Sequence, residues 1–206
     1  MKNFLLVAAI FIFAFAVLFI SIFDSSAINY PVSQSPYQPL VGSKAPEINY
    51  HLPYSGNVLP DSPLWPLKAL RDKVWIGVTT SHLRRAELAL LFSDKRLVMT
   101  QKLFEKGEPD IAISTFTKGE MYFPIAVEEE KIARSQGVDT SIFLNKLALS
   151  ALKHREVAED LIQLAPEDIR PLIIKTEDYA KDTYELAKDL LNSKGLPVPK
   201  DPFIRD

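Results

Sequence analysis

From about residue 60 to residue 195 the apolar positions return every three to four residues, the period of a helix with one face turned inward. No stretch alternates with the period of two that a half-buried strand requires. Proline, glycine and hydroxyl residues divide this stretch into five helices. Pro63 and Pro66 stand where a first turn tolerates proline, and Leu67, Leu70, Val74 and Val78 follow as one stripe. Thr79, Thr80 and Ser81 offer capping hydroxyls to a second helix, with Leu83, Ala86, Leu90, Leu97 and Phe104 inward and Glu87, Lys95, Arg96 and Lys102 at polar positions. Gly107 ends it. Pro109 opens a third helix that runs to about Gln136, with Ala112, Phe116, Phe123 and Val127 inward. A kink is expected at Pro124, because proline there removes a hydrogen bond to the carbonyl of Glu120.

Gly137 closes that helix, and Asp139 and Thr140 start a fourth with the stripe Leu144, Leu147, Ala151, His154, Ala158, Leu161 and Ala165. Pro166 begins the fifth, where Pro171 is expected to force a break in the first turns. Ile173, Ala180, Tyr184, Ala187 and Leu191 form its stripe and Gly195 its end. Short connections make sequential helices antiparallel neighbours. The expected fold class is therefore all-α, an antiparallel up-and-down bundle of about five helices over residues 61–195.

The first residues break the amphipathic pattern. Over residues 4–23 every side chain except Ser21 is apolar, and at about 1.5 Å per residue this run covers about 30 Å, the thickness of a bilayer's hydrocarbon core. Lys2 precedes the run, and no Lys or Arg follows until Lys44. Positive charge stays inside, so the N-terminus is read as cytoplasmic and everything from Asp24 onward as extracytoplasmic. Ser25, Ser26 and Ala27 supply the small residues of a signal-peptidase site after Ala27, but the run exceeds the roughly 7–15 residues of a signal peptide. Residues 1–27 are thus a signal anchor in the favoured reading, and a cleaved signal peptide releasing a secreted chain in the alternative.

Residues 24–60 carry six prolines and only three charges, with Tyr30, Tyr37, Tyr50 and Tyr54 scattered among Ser, Gln and Asn. No period emerges, and the segment reads as an extended Pro/Tyr/Ser-rich linker. The tail, residues 196–206, holds Pro197, Pro199 and Pro202 and is also expected to be non-helical.

Charge and composition narrow the picture by exclusion. The net charge is −2, residues 1–60 contain two basic and two acidic side chains, and the remainder therefore also stands at −2. Such a mixed surface gives no stripe for phosphate backbones, so no nucleic-acid partner is expected. With no cysteine there is no disulfide, thiolate nucleophile, Cys-ligated zinc or iron–sulfur cluster.

The run Leu59, Pro60, Asp61, Ser62, Pro63, Leu64, Trp65, Pro66, Leu67, Lys68 resembles the opening of an uncharacterised all-helical family of exported prokaryotic proteins, which reads Leu-Pro-x-x-Pro-Leu-Tyr-x-Leu-Lys, with Trp65 for the usual Tyr. Arg85 to Leu88, Asp94 to Leu97, Lys106-Gly107, Lys153 to Val157 and Ala165 to Asp168 extend the likeness over roughly residues 50–190. Pro124 departs from it, since the family's helix is unbroken there. The resemblance implies a helical domain without an established activity, so it carries over no catalytic or binding residue. Physically, the prolines pre-set the backbone while Leu59, Leu64 and Trp65 clamp onto the bundle, which makes the run a specifier of fold.

Little chemistry survives beside this. A ferritin-like di-metal bundle needs Glu-x-x-His on two helices, and none occurs. His51 lies in the linker, His82 at a helix start, and only His154 falls on an apolar stripe, as a speculative ligand position. Glu128, Glu129 and Glu130 are consecutive, point in different directions and read as a solvated face. Spacing leaves Ser-His-Asp and paired-carboxylate catalysis open, but no nucleophile elbow or Gly-rich loop frames them. Residues 92–123 resemble one tetratricopeptide unit, of which a stable array needs several. No catalytic residue, metal or cofactor is expected. The leading reading is a non-enzymatic extracytoplasmic module held on the membrane through residues 4–23, with a protein-interaction or envelope-associated structural role. The alternative is a ligand- or metal-binding domain using His154 and nearby acids.

Overall fold

The computed structural model describes residues 46–203. Among the described residues there are six helices and no strand: α1 Trp65–Val78, α2 His82–Glu105, α3 Pro109–Glu120, α4 Tyr122–Ser135, α5 Ser141–Leu164 and α6 Arg170–Ser193. α3 and α4 are one arm broken at Met121, so the chain makes five arms. The break falls three residues before Pro124, not at it. Restarting the helix at Tyr122 puts the proline in a first turn, where no intrahelical partner exists for its missing N–H. Pro171 likewise sits in the first turn of α6, which begins there without interruption. Gly107, Gly137 and Gly195 follow the ends of α2, α4 and α6 with φ of 76°, 82° and 67°, left-handed positions that a Cβ would strain.

Two apolar clusters fill the bundle, and their membership gives the helix directions. One joins Ala86 to Phe92 of α2, Tyr122, Phe123 and Ala126 of α4, Phe143 to Leu152 of α5 and Ala180 to Leu191 of α6. The other joins Leu97, Ile113, Phe116, Val157, Ala158, Leu161 and Ile173. Early α2 therefore meets early α5, and late α2 meets late α5. These two helices run parallel, and by the same reading so do the α3/α4 arm and α6.

The order around the bundle is α2, α3/α4, α6, α5, with α4 and α5 standing diagonally although they are consecutive. The expected up-and-down order is corrected at this point. The five residues between α4 and α5 are enough to cross the top of the bundle.

The stripes assigned to α5 and α6 are buried at every position. That of α1 is not. Leu67, Leu70, Val74 and Val78, with Leu64 just before the helix, are 40–65% exposed, while Asp72 and Trp75 face the bundle. Trp75 meets Phe92 edge-on at 6.0 Å, and Phe92 meets Tyr122 at 6.0 Å, so one aromatic ladder seats the helix. Arg96, expected at a polar position, is also buried, its guanidinium 4.4 Å from the Tyr122 ring centre.

Residues 46–60 lie in the expected linker and contain no helix or strand, yet they are seated on the bundle as a strap. Ile48 and Leu59 are buried, the Ile48 N–H donates to Glu156 at 2.7 Å, and Lys68 donates to the carbonyls of Ser55 and Val58 at 2.7 and 2.9 Å. The tail is held likewise. Tyr184 donates to the Pro199 carbonyl, and Arg155 pairs with Asp201 and covers the Phe203 ring. Among the described residues no helix is long and apolar enough to cross a membrane, and residues 4–23 lie outside them.

Close approach makes one glycine indispensable. A Cβ on Gly119 would lie 2.9 Å from the Arg96 Cβ, whereas one on Gly77 meets nothing within 4 Å. Gly119→Ala is expected to lose about 1–2 kcal/mol, because overpacking outweighs the gain in helix propensity, and Gly77→Ala to gain up to about 1 kcal/mol. Opposite shifts of the urea midpoint check the pair, and shifts of the same sign would refute the packing account.

Candidate functional site

Between the two apolar clusters lies a polar layer, level with the break at Met121. On α2, Asp94 falls between Phe92 and Leu97. On the α3/α4 arm Glu120 falls between Phe116 and Phe123, and on α5 His154 falls between Leu152 and Val157. All three are buried, none more than 2% exposed. His154 Nδ1 is 2.5 Å from Glu120 Oε1 and Nε2 is 3.1 Å from Asp94 Oδ1. Ser150 donates to the same Asp94 oxygen at 2.6 Å, and Tyr50 of the strap donates to Oδ2 at 2.6 Å. Phe123 meets the imidazole edge-on with centroids 4.7 Å apart. Strap, α2, α3 and α5 therefore converge on one histidine and two carboxylates.

Burial alone would push the His154 imidazole down. The Glu120 charge and the hydrogen bonds to Asp94 and Glu120 overcome it and raise its pKa to about 9, so the ring is an imidazolium at neutral pH. Burial pushes the Glu120 carboxyl up, and the imidazolium opposes that. Two carboxyl groups face this one cation, and Glu120 Oε2 has no hydrogen-bond partner.

This arrangement narrows the chemistry that His154 can perform. Both ring nitrogens donate to carboxylates, so neither has a lone pair for a metal. Among the described residues no group of three or more His, Asp or Glu side chains is disposed to hold an ion. Ser150, Asp94 and His154 do come together, but in the wrong order for nucleophile activation. Asp94 stands between the hydroxyl and the imidazole, and Ser150 is fully buried. The layer fits a role in setting which helix faces meet, since this alignment places the buried imidazolium between two carboxyl groups.

The other singled-out residues are dispersed. His51 is exposed on the strap. His82 is the first residue of α2 and pairs with Glu129 at 2.6 Å. The three consecutive glutamates diverge, but they do not form a solvated face. Glu128 is exposed, Glu129 also approaches Arg85, and Glu130 is buried against Thr140 and Arg134.

Within the opening motif, Leu59 is buried, Pro60 and Trp65 are half-buried, and Pro63 and Pro66 are exposed. Leu64 and Leu67 are exposed too, so Leu64 does not clamp the bundle as expected. Lys68 ties the strap instead. Trp65 has Lys68 Nζ at 5.6 Å and the Arg96 guanidinium at 5.8 Å from its ring centre. Burial lowers the Lys68 pKa to about 8 although Asp72 raises it, with Arg71, Lys95 and Arg96 adding to the fall. This cationic patch under α1 was not visible in the sequence, because its members come from two helices that only the fold brings together.

Residues 57–168, more than half of the chain, match a family described as a domain of unknown function, DUF5667. The match includes α1 to α5 and the whole Asp94, Glu120 and His154 layer, and stops before α6 and short of Tyr50. No curated protein and no solved structure matches the chain.

Proposed function

We propose, from the premise that the chain belongs to the DUF5667 family of domains of unknown function, that it is an extracytoplasmic helical module held at the membrane by residues 4–23, with a structural or protein-contacting role rather than an enzymatic one. The observation that carries this reading is the uninterrupted apolar run of residues 4–23 behind Lys2, of bilayer-spanning length and with its charge on the retained side. The bundle supports it from the other end. Its buried polar layer is committed to internal pairing, which leaves the surface to act.

Two measurements on cells making the full chain test this. Protease added outside intact cells should cut the domain, and the mature chain should retain residues 1–27 by mass spectrometry. A chain resistant until lysis overturns the extracytoplasmic placement. A chain beginning at Ile28 replaces the anchor by secretion.

A further inference from the structure

α1 presents a surface that the bundle does not use. Steps of three and four residues place Leu67, Leu70, Val74 and Val78 within a sector of about 80° at 100° per residue, with Leu64 continuing the stripe at its N-terminal end. The charges bordering this sector are of one sign. Arg71 lies on one flank and exposed Lys73 on the other. The single acid of α1, Asp72, is buried and paired with Arg71 at 2.7 Å. Beneath the helix, Lys68 and Arg96 lie over the Trp65 ring, with Lys95 adding cationic charge beside Lys68.

We infer that this face of α1 docks on the surface of a bilayer containing anionic phospholipid, with the apolar stripe at the acyl boundary and Arg71 and Lys73 among the headgroup phosphates. An apolar stripe edged by cations is the pattern of a helix that lies in the plane of a membrane. A second copy fits less well. A helix of 14 residues offers a footprint of roughly 200 Å², against about 800 Å² per partner in a stable interface. Stripe-to-stripe pairing would also set Arg71 and Lys73 against their own copies with no exposed acid on α1 to meet them.

The inference rests on the anchor reading in one respect: residues 24–45 reach at most about 75 Å, which keeps α1 within range of the bilayer that residues 4–23 would occupy.

The chain has no cysteine, so a single introduced one gives a unique label. The full chain is reconstituted in vesicles of mixed anionic and zwitterionic phospholipid, carrying an environment-sensitive fluorophore at Leu70→Cys or, as a control, at Ile142→Cys, which is 88% exposed on α5. Brominated acyl chains should quench the position-70 label about twofold or more and leave the position-142 label unchanged. Adding Leu67→Glu and Val74→Glu, both at exposed positions, should abolish the quenching while the unfolding midpoint holds. Equal quenching at the two positions overturns the docking, as does quenching that survives the double substitution. Self-quenching at position 70 that grows with protein density, without lipid quenching, assigns the face to a second copy and also overturns it. Carbonate extraction of the same vesicles reports on residues 4–23 separately. A released chain removes the anchor, whereas a retained chain with an unquenched position 70 removes only the docking.

Discussion

His154→Ala is expected to lower stability by about 3–5 kcal/mol, because it leaves Asp94 and Glu120 buried together with no cation between them. For a domain of this size that is a fall of roughly 10–15 °C in the unfolding midpoint. The pH dependence carries the sharper test. The folded imidazole has a pKa of about 9 and the unfolded one about 6.5. Its contribution is thus fully present below pH 6.5 and is lost as pH rises through 9, on the order of 3 kcal/mol in all. The upward shift of Glu120 acts in the same direction, since a carboxyl that binds its proton more tightly in the folded state costs stability as pH rises. Urea midpoints at pH 6, 7.5 and 9 should fall steadily in the parent chain. In the variant the loss should move to lower pH, where the unpaired carboxylates ionise. An unchanged slope across the two chains would sink the account.

Trp75→Ala should have the second-largest effect, confined to one part of the molecule. Trp75 is the main apolar contact of α1 with the bundle, through Phe92. Truncating it removes about 3 kcal/mol of packing. Because α1 leans chiefly on α2 among the helices, that loss should appear as local opening. Hydrogen exchange of α1 amides should accelerate by about a hundredfold, while the cores of α2, α5 and α6 keep their protection. Uniform acceleration over all six helices would show instead that α1 is cooperative with the bundle.

Sequence periodicity read α5 and α6 correctly because each has a single partner-facing stripe that the neighbouring helices cover. The same rule gave α1 a stripe, and the structure leaves that stripe exposed. A period of 3.6 says that a helix has an apolar face, not that this chain supplies the cover. The α2–α5 parallel pairing was hidden because loop length argues for neighbours and says nothing of a diagonal.

Of the candidate site, His154 was legible as an apolar-stripe histidine, while Asp94 and Glu120 were not singled out. A signal existed. The α2 stripe steps from Leu90 to Leu97 and skips the helical slot that Asp94 fills, and Glu120 sits four residues after Phe116 and three before Phe123. An acid occupying the expected slot of a stripe is the mark of a buried polar layer. Arg96 gave no such mark, since its burial depends on the approach of Gly119 and the Tyr122 ring.

The diagonal step from α4 to α5 also fixes an order of events. α6 lies between the α3/α4 arm and α5, so until it arrives both Phe116 and Leu161 face an open side. A chain delivered N-terminus first cannot close this core before α6 follows. The completion of folding therefore waits on α6, and a truncation within α6 should leave an aggregation-prone intermediate rather than a smaller stable bundle.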